Sequence, residues 1–300
     1  MALLAQGIHY FGPDGFPVTV RRVTTRSDAR PSHPHDVTLV EHYHDFTELV
    51  IVCSGQGLHV LEGESFPVGA GDVFVVQGKQ AHFFRECKDL ILLNVMYDPA
   101  RLDLPVGLLR RLPGYSALFV LEPNFRRAHQ FSSRLHLNRT HLGLAESLAD
   151  RMDAEAGKQP RGHEASLLAS LVELMVFLSR LYGESETTEA RALLRVGQLV
   201  STLEQRFREP WTLEQMAKET RLSRTGLLRI FRQATGQPPV DYLISLRVEA
   251  AMKLLRQTDR KVTDIAFETG FADSNYFARQ FRRVTGTTPT AFRQRSGTAV

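Results

Sequence analysis

Hydrophobic and polar positions follow two different periods along this chain, and the change comes once. Up to about residue 100, short apolar runs (Val37 to Val40, Glu48 to Val52, Gly57 to Leu61, Asp72 to Val76, Leu90 to Met96) alternate with glycine-bearing turns. Many short runs at near-regular spacing predict a β sandwich or barrel. From about Arg139 onward the apolar residues recur at helical spacing. Leu142, Leu144, Leu148 and Met152 mark one helix, and Leu167, Leu168, Leu171, Leu174, Met175, Leu178 and Leu181 mark a second. The second helix carries more apolar surface than one stripe requires. It either covers the barrel or meets another subunit, and the stretch Glu164 to Leu181 is the candidate for dimerisation. The polar, acidic string from Gly183 to Glu189 has nothing to bury and reads as an interdomain linker over 183–190. Beyond it every segment has helical spacing. The expected organisation is thus a β-rich domain with a helical pair over 1–182, the linker, and an all-α domain over 191–300.

The all-α part contains an internal repeat. Phe231 and Phe281, Gly236 and Gly286, and Pro239 and Pro289 are each 50 positions apart, while upstream Met216 and Ile265, Ala217 and Ala266, and Thr220 and Thr269 are 49 apart. Self-similarity of this kind marks a duplicated supersecondary unit. Each unit reads as two helices around a short turn. Thr212 with Gln215 predicts a capping box at the start of the first, and Gly270 occupies the turn of the second, where Arg221 stands in the first. In the following helices Leu227, Ile230, Phe231 and Ala234 form an apolar stripe, echoed by Phe277, Phe281 and Val284. On the opposite faces lie Thr225, Arg229 and Arg232, and their equivalents Asn275, Arg279 and Arg282. Arginine and asparagine pair in bidentate fashion with guanine and adenine edges in the major groove. Arg224 and Arg283 suit phosphate contacts. One amphipathic helix over Pro239 to Arg256, roughly 27 Å long, is predicted to join the units.

Charge sharpens this division. The chain has a net charge of only +4, yet residues 191–300 hold 19 basic against 10 acidic side chains, and residues 1–190 hold 18 against 23. A basic third on an acidic body predicts a polyanion partner for one part alone. Composition narrows the class further. The longest apolar run, Leu167 to Leu178, is broken by Ser170 and Glu173, so no membrane span is expected. The N-terminal residues lack the pattern of a secretion signal. The two cysteines, Cys53 and Cys87, are expected as buried thiols of a cytoplasmic protein.

At this point the repeat supports a resemblance. Residues 195 to 294, above all VTDIAFETGFADSNYFARQFRRVTGTTPTAFR from Val262 to Arg293, are similar to the DNA-binding domain of the AraC/XylS transcription regulators. The resemblance implies two helix-turn-helix units that bind promoter DNA as a dimer, usually to activate transcription with RNA polymerase. By carry-over, Arg224, Thr225 and Arg229 contact DNA in the first unit, and Asp273, Ser274, Asn275 and Arg279 in the second.

The remaining chemistry lies near residue 45. In EHYHDFTELVIVCSG, His42, His44 and Glu48 have equal parity and share one face of a strand. His82 arrives from a later strand. The spacing H-x-H-x3-E-x6-G, with Gly71 to His82 downstream, resembles the two cupin motifs, which implies a cupin-like β-barrel. In metal-binding cupins these four residues hold a divalent ion, and imidazole with carboxylate suits such ions. The sequence departs from that pattern at Asp36, Gln77, Lys79 and Glu86. Three readings stay open: a bound divalent metal, direct hydrogen bonding of a small polar effector, or a satisfied polar core. The run HDFTELVIVCSGQGLHVLEGESFPVGAGDVFVV and the segment LLNVMYDP resemble the L-rhamnose-responsive members of the AraC family, which implies a deoxysugar or similar effector. The expected function is therefore an effector-responsive regulator and no enzyme. One rival is a metal-dependent cupin enzyme tethered to DNA, which the four-residue set permits. The other is a sequence-indifferent architectural binder, against which Asn275 and Arg279 argue.

Overall fold

The apolar runs 48–52 and 57–61 belong to one 15-residue strand, Thr47–Leu61, rather than to two strands with a turn between. The expected turn is a bend within the strand, where pairing to its neighbour shifts register between Val52 and Ser54, Ser54 and Gln56, and Gln56 and Leu58. Gly55 makes the bend possible. Its φ is +73°, and a Cβ there would lie 2.2 Å from the Asp89 carbonyl oxygen, so only glycine fits.

The computed structural model describes residues 2–13, 15–25, 39–126 and 131–297. Contacts divide the chain into two units, residues 1–194 and 195–300. In the first, eight strands form one sheet: β1 (Leu3–Ala5), β2 (Val18–Thr24), β3 (His42–His44), β4 (Thr47–Leu61), β5 (Glu64–Gly69), β6 (Asp72–Val76), β7 (His82–Tyr97) and β8 (Leu135–His136). Their order is β1-β3-β7-β4-β6-β8, with β2 also on β7 and β5 on β4. Among the described residues the expected barrel is therefore not closed. Its end strands, β1 and β8, have three and two residues and do not pair with each other. The bends of the long β4 and β7 instead fold the sheet over one face. Val50, Val52, Phe74, Val76, Phe84, Leu90 and Leu92 meet there, with Phe66 and Phe131. In the predicted run 37–40, Val37 and Thr38 lie outside the described residues, as does Asp36, and Leu39 and Val40 form an exposed turn. Cys53 and Cys87 are half-buried rather than buried.

Short helices α1 (Ile8–Phe11), α2 (Val106–Leu109), α3 (Pro113–Tyr115) and α4 (Glu122–Phe125), the last preceded by a π-helical segment Ser116–Leu121, surround the sheet segments. On α4 and just beyond it lies a fully buried ion pair. Arg126 reaches Glu122 at 2.6 Å and also donates to the Val75 carbonyl at 2.8 Å. Its guanidinium lies over Phe131 and Phe74, at 4.5 and 5.2 Å from the ring centres. Then come α5 (Arg139–Lys158) and α6 (His163–Gly183). Asn138 caps α5 by accepting from the His141 amide. The buried face of α5 is Ala145, Ala149 and Met152, so Leu144, expected inside, is 51% exposed. By length and composition α6 could cross a membrane. The interruptions at Ser170 and Glu173 thus do not settle the matter. Packing accounts for one face of the helix: Leu167, Leu171, Leu174, Met175, Leu178 and Tyr182 are fully buried within the protein.

α7 (Thr188–Gln205) follows four residues after α6 ends, and the division between units falls inside it. The second unit continues with α8 (Leu213–Thr220), α9 (Arg224–Thr235), α10 (Pro239–Gln257), α11 (Val262–Glu268), α12 (Ser274–Thr285) and α13 (Pro289–Gly297). The capping box is present: Gln215 N donates to Thr212 Oγ1 at 3.2 Å, and Thr212 N donates to Gln215 Oε1 at 2.8 Å. Gly236 and Gly286 close α9 and α12 with left-handed φ of +79° and +76°. Leu227, Ile230, Phe231 and Ala234 are buried as expected, as are Phe277 and Phe281, but Val284 is 42% exposed. The apolar face of α12 ends one turn earlier than that of α9.

Candidate effector pocket and DNA-reading faces

His42 and His44 stand on β3, Glu48 on β4 and His82 on β7. Register places His42 opposite His82, with ring centres 4.3 Å apart. All four side chains are buried. Glu48 Oε2 lies 3.3 Å from His82 Nε2 and 3.8 Å from His44 Nε2. Each imidazole is held from behind by a backbone carbonyl: His42 Nδ1 by Val40 at 2.8 Å, His44 Nδ1 by Phe46 at 2.7 Å, His82 Nδ1 by Gln80 at 3.1 Å. A carbonyl only accepts, so each Nδ1 donates and each Nε2 keeps its lone pair. Burial pushes the pKa of all three imidazoles down to about 4, against the pull of nearby Glu48 on His42 and His44. They are neutral near pH 7.

Ligand atoms of His44, Glu48 and His82 all lie within 4.8 Å of one another, and His42 stands outside that group. The fourfold set expected from the motif is thus a triad plus a neighbour. These residues line one cavity together with Arg21 and Asn94, which sequence reasoning missed. Asn94 donates to Glu48 Oε1 at 2.6 Å. Its signal was available, as a lone amide between Leu92–Leu93 and Val95–Met96 in a core strand. Arg21 had none, because Arg22 beside it turns outward to Asp150 on α5. A fourth histidine, His59, is fully buried between the rings of Phe74 and Phe84, each 4.8 Å away, with neither nitrogen hydrogen-bonded.

In the second unit α9 and α12 present equivalent faces. Thr225 and Arg229 on α9, and Asn275 and Arg279 on α12, are exposed. Arg229 approaches Gln233 at 3.4 Å, and Arg279 lies 5.9 Å from the centre of the Tyr276 ring. Asp273 accepts from the Tyr276 amide at 2.6 Å and so caps α12, as Ser223 caps α9. Ser274 is the first residue of α12 and half-buried. The two arginines suited to phosphate are engaged: Arg224 with Glu214 and Arg283 with Asp241, both at 2.8 Å. Exposed pairs like these are weak and exchange readily for another anion.

A polar cavity in a folded-over sheet and two outward-facing helices on a basic helical unit, carried by one chain, define an effector-responsive DNA-binding regulator of transcription. Comparison with known proteins agrees. Residues 29–172 match the AraC-like ligand binding domain, and residues 216–295 match a helix-turn-helix domain. The chain is 34% identical to the HTH-type transcriptional activator RhaS of Klebsiella pneumoniae (strain 342), over 85% of this chain and 87% of that one. It is 33% identical to the HTH-type transcriptional activator RhaR of Shigella flexneri serotype 5b (strain 8401), over 87% and 89%. Among solved structures it is similar to the DNA-binding domain of AdpA in complex with a target DNA (31% identity, 34% of this chain and 91% of that one, TM-score 0.33). The chain belongs to the AraC family of transcription regulators.

Proposed function

We propose that this regulator activates genes for the use of a rhamnose-type sugar, and that the sugar binds directly among His42, His44, Glu48 and His82. The observation that carries the reading is a buried polar cavity whose imidazoles turn unprotonated Nε2 atoms inward, in a chain similar over most of its length to named transcriptional activators. In this reading α8–α9 and α11–α12 are two helix-turn-helix units. Thr225, Arg229, Asn275 and Arg279 read base edges, while Arg224, Asp273 and Ser274 position the units on the backbone. The 19-residue α10, about 28 Å long, spaces the two recognition helices for successive major-groove segments. The protein acts in the cytoplasm as a homodimer through the outer face of α6, with RNA polymerase as the partner at the promoter, and is no enzyme. Sugar binding shifts the balance between two arrangements of the chain.

The test uses the full chain, a selected promoter oligonucleotide and a scrambled competitor at moderate salt, with and without L-rhamnose. At least tenfold preference for the selected site, strengthened by L-rhamnose, is expected. No preference in either condition overturns the reading.

A second reading is favoured by the His44–Glu48–His82 triad alone. Its donor set fits a divalent ion of the Zn, Fe, Mn or Ni type, and the Nδ1–carbonyl bonds aim both Nε2 atoms at Glu48. Bound there, such an ion would supply a Lewis-acidic anchor for sugar hydroxyls. Metal analysis of the purified protein checks it, and undiminished L-rhamnose binding after exhaustive chelation removes it.

A further inference from the structure

Both helix pairs of the second unit pack on α10. Tyr242 meets Phe231 of α9, with ring centres 5.5 Å apart. Further along, Ile244, Val248 and Leu255 share a core with Ile265, Phe277 and Phe281. One helix alone is a weak gauge of angle, because a pair packed along its side can still rock about that line of contact. A second tie stands away from the line. The loop between α7 and α8, residues 206–211, lies against the turn of the second pair. A Cβ at Gly270 would stand 2.8 Å from both the Cα and the carbonyl oxygen of Arg208, so the two backbones touch. Arg208 Nε donates to the carbonyl of Glu268, the last residue of α11, at 3.2 Å, where a helix end leaves its carbonyls open. From α10, Arg247 closes the third side. Its Nε donates to the Phe207 carbonyl at 2.8 Å and its Nη2 to the Glu209 carbonyl at 2.7 Å, and its guanidinium lies 5.7 Å from the centre of the buried Phe271 ring. The loop is braced within itself as well. Arg206 donates to both carboxylate oxygens of Glu209, at 2.8 and 2.7 Å, and Trp211 Nε1 donates to the Arg206 carbonyl at 3.1 Å. The next residue, Thr212, caps α8.

We propose that Arg208 and Arg247 are positioning residues for DNA readout: through the 206–211 loop they fix the angle between the two helix pairs, and with it the spacing of base pairs that the protein accepts. The inference rests on the reading of α8–α9 and α11–α12 as two DNA readers. Both arginines act through backbone carbonyls of the protein, so neither has to touch DNA. Adding one base pair between two segments of B-DNA moves them apart by about 3.4 Å and turns one against the other by about 35°. Readers held at a fixed angle cannot follow both segments at once, and base contacts at one of them are lost. Readers joined through α10 alone follow part of the rotation and tolerate the altered spacing.

The experiment uses the full chain and the selected promoter oligonucleotide, with one base pair inserted or removed between the two segments that one subunit reads. Those segments are located as the positions where Arg229→Ala and Arg279→Ala change base preference. Wild type is expected to lose about tenfold or more in affinity at either altered spacing. Arg208→Met and Arg247→Met are expected to narrow that difference to about threefold or less, while still preferring the selected bases over scrambled DNA. Arg208→Lys is expected to behave as Arg208→Met does, because a methylene stands where Nε donated. Thermal melting checks that each variant is folded, and the exposed Arg208 keeps the test decisive should Arg247→Met unfold. Folded variants that discriminate spacing as wild type does overturn the inference. So does a loss equal at every spacing that Arg208→Lys restores, the signature of a phosphate contact. In both cases the two readers stand. Wild type that is indifferent to spacing, with base preference at both segments, overturns the brace alone. Base preference at only one segment overturns the reading beneath it as well.

Discussion

The two units deploy their polar side chains in opposite directions. In residues 1–194 the informative polar groups are inside: His42, His44, Glu48, His59, His82, Glu122 and Arg126 are all buried. In residues 195–300 they are outside, on α9 and α12, over cores of leucine, isoleucine and phenylalanine. A buried polar group must be answered by another group within the protein, so changing it moves folding stability first. An exposed one is answered by water, so changing it moves partner binding and leaves melting nearly untouched.

The strongest way to break this contrast is Arg126→Met. It leaves Glu122 as an uncompensated buried carboxylate and removes the bond to Val75, so a loss of about 3–5 kcal/mol is expected in denaturant unfolding. Replacing both partners, Glu122→Leu with Arg126→Leu, should recover most of that loss. An Arg126→Met protein that melts with wild type would show that the interior polar groups are not stability elements.

Acid comes next. The folded-state pKa of His42, His44 and His82 lies near 4, below the ordinary 6.5, because burial disfavours the imidazolium. The unfolded chain then binds more protons between those limits. The stability contributed by the neutral rings is whole above about pH 6.5 and falls as pH drops toward 4. In metal-free buffer the loss should be on the order of 3 kcal/mol for each ring across that window. Melting curves at stepwise pH check this, and a flat profile between 6.5 and 4.5 would contradict the burial of the three rings.

The same contrast governs what was legible in the sequence. The capping box at Thr212 and Gln215, the glycine ends of α9 and α12, and the outward Arg229 and Arg279 depend on neighbours three or four residues away, and all could be read locally. Strand parity also brought His42, His44 and Glu48 to one face, although the chain crosses from β3 to β4 between His44 and Glu48. What was not legible depends on residues far along the chain. Gly55 looked like a turn, and only the Asp89 carbonyl beside it reveals a bent strand. Open sheet and closed barrel give the same alternation, so the missing closure left no trace in the pattern. Arg126 has no local signal of burial, because the ring of Phe74 that packs against it comes from a distant strand.

On the exposed side, Arg279→Ala or Arg229→Ala should cost about 1–3 kcal/mol of binding at the selected DNA site and relax its sequence preference. Neither should shift melting by more than about 0.5 kcal/mol. Equal loss on scrambled DNA would reassign the residue from base edge to backbone.

The smallest effect sharpens the comparison within the second unit itself. The two helix pairs turn at equivalent corners, Arg221 with φ +53° and Gly270 with φ +91°. At Gly270 a Cβ would stand 2.8 Å from the backbone of Arg208, so side-chain volume as well as conformation demands glycine there. Arg221 takes the left-handed conformation as the C-cap of α8 and carries only its conformational cost. An L-residue in that region is strained by roughly 1 kcal/mol relative to glycine, part of which the greater freedom of glycine in the unfolded chain offsets. Arg221→Gly should therefore raise stability by up to about 1 kcal/mol in denaturant unfolding and leave DNA affinity as it was. A destabilised Arg221→Gly would mean that the arginine side chain stabilises its corner through contacts that outweigh the strain, and that the two turns differ in more than the space beside them.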